Sequence, residues 1–263
     1  MPQKFFATRT ELAVKAASEA GNLLQAKHGK IHTLTWKERD DFKTKVDDAS
    51  EKLIVGLIHK HFPCDSVVAE EGTNVRGVST ATWYVDPLDG TKEYVLGFSN
   101  YFAVSIGVAF EADPEPCSIG AIHIPLRNEI YYNNDHSALC NGIQIHVLKP
   151  HTFSHAIVTV QSGKAKSTKL KALALQEHLT GEVAMIPRIG SAAVCLALLA
   201  SGKLHGYIGF GLEPWDLAGG VALIKSAGGK TTTPEGKEWQ CGDDSLVAAH
   251  PDFHQKLLDF LSH

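Results

Sequence analysis

The chain lacks any run of about 18 apolar residues, the length a helix needs to cross a bilayer. Its opening, MPQKFFATRT, also lacks the basic segment and apolar stretch of a secretory leader. The expectation is a cytoplasmic protein with no membrane contact. Cysteine is sparse: Cys64, Cys117, Cys140, Cys195 and Cys241 are odd in number and scattered, without a CxxC pair. That excludes a disulfide framework and a thiolate zinc or redox centre, and predicts reduced structural thiols. An excess of one charge is missing too. Lys and Arg number 25 against 29 Asp and Glu, and the net charge of -4 comes without a dense basic run, which argues against a nucleic-acid polymer or an anionic membrane as partner. A small anionic substrate still needs local positive charge, and bound metal ions supply that without entering the residue count.

Internal repeats, low-complexity tracts and long linkers are absent. The histidines, among them His59, His61, His123 and His205, form no HExxH pattern and read as surface or packing residues. The acidic residues lack the compact loop spacing of an EF-hand, which sets aside a calcium-binding structural domain. What is present is a globular composition, 44% hydrophobic and 21% charged over 263 residues, enough for one or two substantial cores.

Thr8 and Glu11 have capping-box spacing, and Leu12, Ala16, Leu23 and Leu24 then keep helical spacing until Gly29. Asp47, Asp48 and Ser50 precede a second helical stretch, Leu53, Ile54, Leu57 and Ile58, that ends at Phe62 and Pro63. From Ser66 the texture changes to short β-branched and aromatic runs, SVVA, TWYV, AVSIGVAF, SIGAIHI and NEIYY, which predict a sheet. After about residue 150 strand and helix patterns alternate: AIVTV, STKLKALALQEHL, AMIPRI, SAAVCLALLASG, HGYIGF, WDLAGGVALIKSAGG, SLVAAH and DFHQKLLDFL. The expectation is an N-terminal α+β subdomain, 1–150, and a C-terminal α/β subdomain, 151–263, packed into one body.

The most informative segment is WYVDPLDGTKEY, where a predicted strand runs into Asp86, Pro87, Leu88, Asp89, Gly90 and Thr91. Pro87 fixes its own φ and restrains Asp86, and Gly90 permits tight backbone approach. Two carboxylates and the Leu88 carbonyl can then converge, and oxygen ligands of this kind suit magnesium. A helix beginning just after Gly90 would aim free amide groups at an anion such as phosphate. Taken alone, DPLDG is equally an ordinary strand-to-turn signal. Two further segments carry acids: AEEG, with Glu70 and Glu71 after an apolar strand, and EPWDLAGG, where Asp216 opens a helix. Each also has an innocent reading, a solvated edge or a helix cap.

In order and wording, AEEG, DPLDGT and WDLAGG resemble the inositol monophosphatase family, including its relatives that act on 3'(2'),5'-bisphosphate nucleotides. KTKVDDASE around Thr44 and Asp47, and GSAAVCLALLASG with Gly190 and Ser191 at a helix start, extend the resemblance over most of the chain. It implies α+β and α/β layers in an αβαβα sandwich, the sugar phosphatase fold. It implies a magnesium-dependent, lithium-sensitive phosphomonoesterase with two or three Mg2+ ions per active site. By the family pattern Glu70, Asp86 and the Leu88 carbonyl hold one ion, Asp86, Asp89 and Asp216 a second, and Glu70 a looser third. The same pattern assigns Thr91 and Asp47, with Glu70, to catalysis, Gly90 and Thr91 to phosphate, and Gly190, Ser191 and Ala192 to the substrate. Family members are commonly dimers, and IYYNN is a candidate exposed apolar stretch for such a contact.

The substrate signals divide. Lys92, Glu93 and Tyr94 after DPLDGT resemble the nucleotidase branch that hydrolyses 3'-phosphoadenosine 5'-phosphate, whereas FAVSIGVAF and the Ala192, Ala193, Val194 run resemble the inositol branch. Inositol enzymes usually carry a sugar-binding glutamate seven residues before the last metal aspartate, and here Gly209 stands there, with Glu213 and Arg188 as nearby substitutes. The reading leans to inositol monophosphate or a similar polyol phosphate. The bisphosphate nucleotide is the alternative, and a catalytically silent binding relative is disfavoured because it would have no use for so many clustered like charges.

Overall fold

The computed structural model describes residues 3–30, 33–38, 41–111, 117–134 and 136–261. The first helix, α1 (Gln3–Lys27), begins upstream of Thr8, so the Thr8 and Glu11 pair lies inside it; the Thr8 side chain falls outside the described residues. Leu12, Ala16, Ala20 and Leu24 repeat every four residues and are buried, the stripe a helix lays on a core. Strands β1 (Leu34–Glu38) and β2 (Asp41–Thr44) pair as an antiparallel ribbon that the sequence patterns did not predict. Thr44 caps α2 (Lys45–His61), its side chain accepting from the Val46 N–H while the Asp47 carboxylate accepts from the Thr44 N–H.

The predicted central sheet is present and larger than expected. It contains β3 (Ser66–Ala69), β4 (Asn74–Val75), β5 (Ala81–Asp89), β6 (Ala103–Phe110), β7 (Ile119–Ile124), β8 (Glu129–Asn133), β9 (Ala138–Cys140) and β10 (Ile143–Ile145), with α3 (Thr91–Leu96) between β5 and β6. The strand order is β10-β9-β8-β7-β6-β5-β3-β4, antiparallel except for the parallel pair β3 and β5. The remaining elements are β11 (Val158–Ser162), α4 (Lys166–Leu179), α5 (Ala192–Ala200), β12 (Gly206–Phe210), α6 (Pro214–Ser226), β13 (Lys230–Thr232), β14 (Leu246–Ala249) and α7 (Pro251–Leu261). Four of them form a second sheet, β11-β12-β14-β13.

Two expectations fail here. AMIPRI is not a strand: it makes a single isolated bridge, Ile157 with Met185, because Pro187 has no N–H to continue a ladder. IYYNN is not an exposed patch either, since Tyr131 and Asn133 point inward and are buried.

Three apolar cores stack these elements into five layers. One lies between α1, α2 and one face of the large sheet; the second surrounds α5 and α6 between the two sheets; the third joins the small sheet to α4 and α7. The result is the αβαβα sandwich. Among the described residues no helix is long and apolar enough to cross a membrane.

Candidate active site

The site begins with a bulge. β5 and β6 stay in register to Asp86 opposite Ser105, and the next pair is Asp89 opposite Ala103, so β5 carries one extra residue. In a regular strand residues three apart point to opposite faces; the extra residue turns Asp86 and Asp89 toward the same cavity. The bulge is held by Ser50 Oγ donating to the Pro87 carbonyl at 2.8 Å and by the Leu88 N–H donating to Asp86 Oδ1 at 3.0 Å. Gly90 follows at φ 87° as the cap of α3, a left-handed conformation that costs glycine nothing. The helix starts where expected but has six residues, too few for much of a macrodipole.

Asp47, in the first turn of α2, faces this corner. Its Oδ2 accepts from the Thr44 N–H and hydroxyl, and its Oδ1 accepts from Thr91 Oγ1 at 3.2 Å; Thr91 also lies 3.1 Å from the Leu88 carbonyl. The expected Thr91 and Asp47 pair is therefore in hydrogen-bond contact. Glu70 emerges from the end of β3, and the turn after it is tied down by Glu51. That buried carboxylate accepts from the Glu71 N–H at 2.7 Å, the Thr73 N–H at 3.1 Å and the Thr73 hydroxyl at 2.6 Å.

Asp216 comes from the other side, in the first turn of α6, where its Oδ2 accepts from the Glu213 N–H at 2.8 Å. What lets α6 approach is missing side chains: a Cβ on Gly120 would stand 2.1 Å from the Gly219 carbonyl, and one on Gly107 would stand 2.6 Å from Ala218 Cβ. Backbone thus packs on backbone. At the start of α5, Ser191 donates to Asp89 Oδ2 at 2.7 Å and accepts from the Val194 N–H, while the Ala193 N–H adds a 2.6 Å bond to the same carboxylate oxygen. Ser191, expected at the substrate, is buried and lines neither of the two cavities at the site; its hydroxyl bonds Asp89. Gly190 and Ala192 do line the cavities, with the Gly190 N–H engaged by the buried Glu93 carboxylate.

Two overlapping cavities, of about 220 and 400 Å³, meet at Asp89, Glu93, Gly190, Leu212 and Asp216. Glu70, Asp86, Asp89 and Asp216 all line the smaller one with Gly90 and Thr91. Burial, reinforced by Glu70, Asp89 and Asp216, pushes Asp86 well above the usual carboxylate range. Burial likewise raises Asp216, with Asp89 adding to it. Asp89 is pushed up to about 7 by burial, against the opposing pull of its Ser191 and Ala193 bonds. Burial raises Glu70 as well, although Lys37 opposes it. Among the described residues no group of three or more His, Cys, Asp or Glu side chains is arranged so that it could hold a metal ion. The four carboxylates nonetheless line one cavity as oxygen donors, with only Glu70 paired to a described lysine, a donor chemistry that fits a hard divalent cation such as magnesium.

Several charged residues in or beside the cavities were invisible to motif reading. Lys37 on β1 reaches Glu70 at 3.3 Å and Glu71 at 2.7 Å, and Lys43 lies 3.3 Å from Glu71. Lys164 pairs with Asp41 across the cavity mouth. Lys92 and Arg188, at the rims of the smaller and larger cavity, make no side-chain hydrogen bond or ion pair with described residues. The space beside Gly209 is filled: an added Cβ would lie 2.6 Å from Leu212 Cδ1 and 2.9 Å from the Tyr207 hydroxyl, which itself donates to Gln161 at 3.2 Å. The lysine pairs join residues far apart in sequence, so no local pattern announced them.

The chain is similar over its length to known proteins. Residues 7–262 match the pattern of the inositol monophosphatase family. A fructose-1,6-bisphosphatase/inositol-1-monophosphatase from Aquifex aeolicus is 34% identical over 94% of this chain and 93% of its own length. The Nus factor SuhB of Pasteurella multocida is 30% identical over the same shares of the two chains. Among solved structures, an inositol monophosphatase from Anabaena superposes with a TM-score of 0.84 at 29% identity, covering 97% of this chain and 96% of that one. The suhB extragenic suppressor protein of Bartonella henselae superposes at 0.89 and 26% identity, covering 97% and 98%. With its sequence matched from end to end and its five layers shared with these structures, the chain belongs to the inositol monophosphatase family.

Proposed function

We propose that the chain is a magnesium-dependent phosphomonoester hydrolase acting on a small metabolite, with inositol monophosphate or a similar polyol phosphate as its substrate class. The observation that carries this reading is the convergence of Glu70, Asp86, Asp89 and Asp216, drawn from three chain segments, on one cavity that also holds Thr91 against Asp47. Glu70, Asp86 and the Leu88 carbonyl would hold one magnesium, Asp86, Asp89 and Asp216 a second, and Glu70 a looser third. Bound there, the metal supplies neutralisation of phosphoryl charge and acidification of a water.

The chain's own residues supply orientation and proton transfer. Thr91 Oγ1 donates to Asp47 Oδ1, so a water bound to the threonine hydroxyl has a path for its proton to the carboxylate. Burial raises the affinity of Asp47 for that proton, against the opposing Thr44 bonds, which makes it a stronger base while it stays ionised. Gly90 and Thr91 border the phosphate position, and Gly190 and Ala192 border the alcohol it leaves. Ser191 keeps one Asp89 oxygen occupied and so aims the other at the cavity. The polyol preference rests on the inositol-like Ala192 to Val194 run and on the sugar-phosphate names of relatives such as the Aquifex protein. The relatives named Nus factors carry that name for themselves; the net charge of -4 and lack of a basic run here favour a small ester over a nucleic-acid polymer.

A second reading, a 3'(2'),5'-bisphosphate nucleotide, is favoured by one observation: Lys92 and Arg188 line the cavities without an ion pair to any described residue, where a second phosphate would need them. The discriminating experiment measures magnesium-dependent phosphate release from inositol 1-phosphate, 3'-phosphoadenosine 5'-phosphate and fructose 1,6-bisphosphate, with Asp89→Asn as control. Highest kcat/KM on the inositol ester supports the first reading, and on the nucleotide the second. No release from any of the three sinks both.

A further inference from the structure

Scattered cysteines without CxxC spacing predict five separate thiols, yet the fold brings two together across 124 residues of sequence: Cys117 Sγ lies 2.6 Å from Cys241 Sγ. Cys117 stands just before β7 and is 2% exposed, whereas Cys241, between β13 and β14, is partly open to solvent. Cys117 belongs to the core around α5 and α6 and Cys241 packs against it, which holds the two sulfurs opposite one another. Among the described residues no other cysteine pair is in contact. A disulfide bond, at about 2.05 Å, needs the sulfurs only about half an ångström closer.

We infer that Cys117 and Cys241 are a modification site, a thiol pair that a peroxide-class oxidant converts reversibly into an intrachain disulfide between the large sheet and the loop before β14. Cys241, the more accessible sulfur, gives up its proton and attacks one peroxide oxygen as a thiolate; the O–O bond breaks, the departing hydroxide takes up that proton as water, and Cys241 carries a sulfenic acid. The Cys117 sulfur then attacks the Cys241 sulfur, the S–O bond breaks, and the departing hydroxide takes the Cys117 proton as a second water. Two thiols lose two electrons and one hydrogen peroxide is reduced to two waters. The bond has a target within the fold. The Asp244 carbonyl, three residues beyond Cys241, accepts from the Leu212 N–H at 2.7 Å, and Leu212 lines both cavities beside Asp216. Tethering the loop fixes that wall.

The test treats the full chain with a small excess of hydrogen peroxide, alkylates the remaining thiols in denaturant, and maps peptides without reduction. Two fewer thiols should be alkylated than in the untreated chain, one peptide pair should be joined through Cys117 and Cys241, and dithiothreitol should reverse both. Cys241→Ser should lose no further thiols and give no joined pair, with Cys117→Ala as the matching variant in case either folds poorly. Cys64→Ser should behave as the parent, separating the site from the exposed thiol. Amide exchange at Leu212 should slow on oxidation in the parent and stay constant in Cys241→Ser. A full complement of alkylated thiols, or a joined pair that uses Cys64, Cys140 or Cys195, overturns the proposal. Unchanged Leu212 exchange in the oxidised parent overturns the link to the cavity wall.

Discussion

The Glu51 carboxylate takes three hydrogen bonds from the turn that carries Glu70, without reaching the cavity itself. Its removal leaves the Glu71 and Thr73 amide groups without partners, a loss of about 1–3 kcal/mol for buried donors. It also frees Glu70 to move. Glu51→Ala should lower stability to urea by that amount and raise the magnesium needed for half-maximal phosphate release about 10–100-fold, the usual effect of losing an outer partner of a ligand. An unchanged magnesium requirement would remove Glu51 from the site. His254 governs a different property. Its Nε2 lies between Thr232 Oγ1 and the Val247 carbonyl, and burial, helped by Lys230, holds its pKa down at about 4. Between pH 6.5 and about 4 the unfolded chain binds a proton that the folded chain refuses, so this stability is complete above pH 6.5 and lost as pH falls through that window. Urea titrations at pH 7, 6 and 5 should show the decline, and His254→Gln should flatten it.

At the scale of elements, α6 brings the last carboxylate to the others by lying directly on the backbone of β6 and β7. Gly120→Val would drive side-chain atoms into the Gly219 carbonyl, so the helix must lift. Overpacking of this kind costs about 1–3 kcal/mol, and the prediction is a loss of that size in stability together with a fall in kcat, since Asp216 moves with the helix. Parental kcat in a Gly120→Val protein of reduced stability would show that the helix position is not critical. The helices and long strands were legible in the sequence because their burial follows simple periods, as in Leu12, Ala16, Ala20 and Leu24 of α1. The β1 and β2 ribbon was not, because LTWKE and DFKT are short, mix polar with apolar residues and are held mainly by each other. AMIPRI misled through its apolar residues, with Pro187 the overlooked objection. The β5 bulge was hidden for a different reason: the two-residue period places Asp86 and Asp89 on opposite faces, and Pro87 and Gly90 suggested that the two converge without showing the extra residue that brings them together.

Across the whole molecule, the α5 and α6 layer packs against both sheets and delivers Asp216 and the Ser191 bracket to carboxylates that stand on the large sheet. The acids of the site could be named from motifs, but their partners could not. Lys37, Glu51 and the Cys117 and Cys241 pair acquire meaning only when distant segments meet, and no local pattern encodes those meetings. The central claim is that carboxylates from both sides of this layered body act together on a divalent cation to release phosphate. The most direct test is steady-state phosphate release by the parent and by Asp216→Asn across a magnesium titration, with far-UV circular dichroism as the check on folding. The account predicts turnover in the parent only when magnesium is present. It predicts a fall of about a thousandfold or more in Asp216→Asn with an unchanged spectrum, the several kcal/mol a bound metal contributes at 1.36 kcal/mol per tenfold. Near-parental turnover in folded Asp216→Asn at saturating magnesium, or parental turnover independent of the metal, would contradict it.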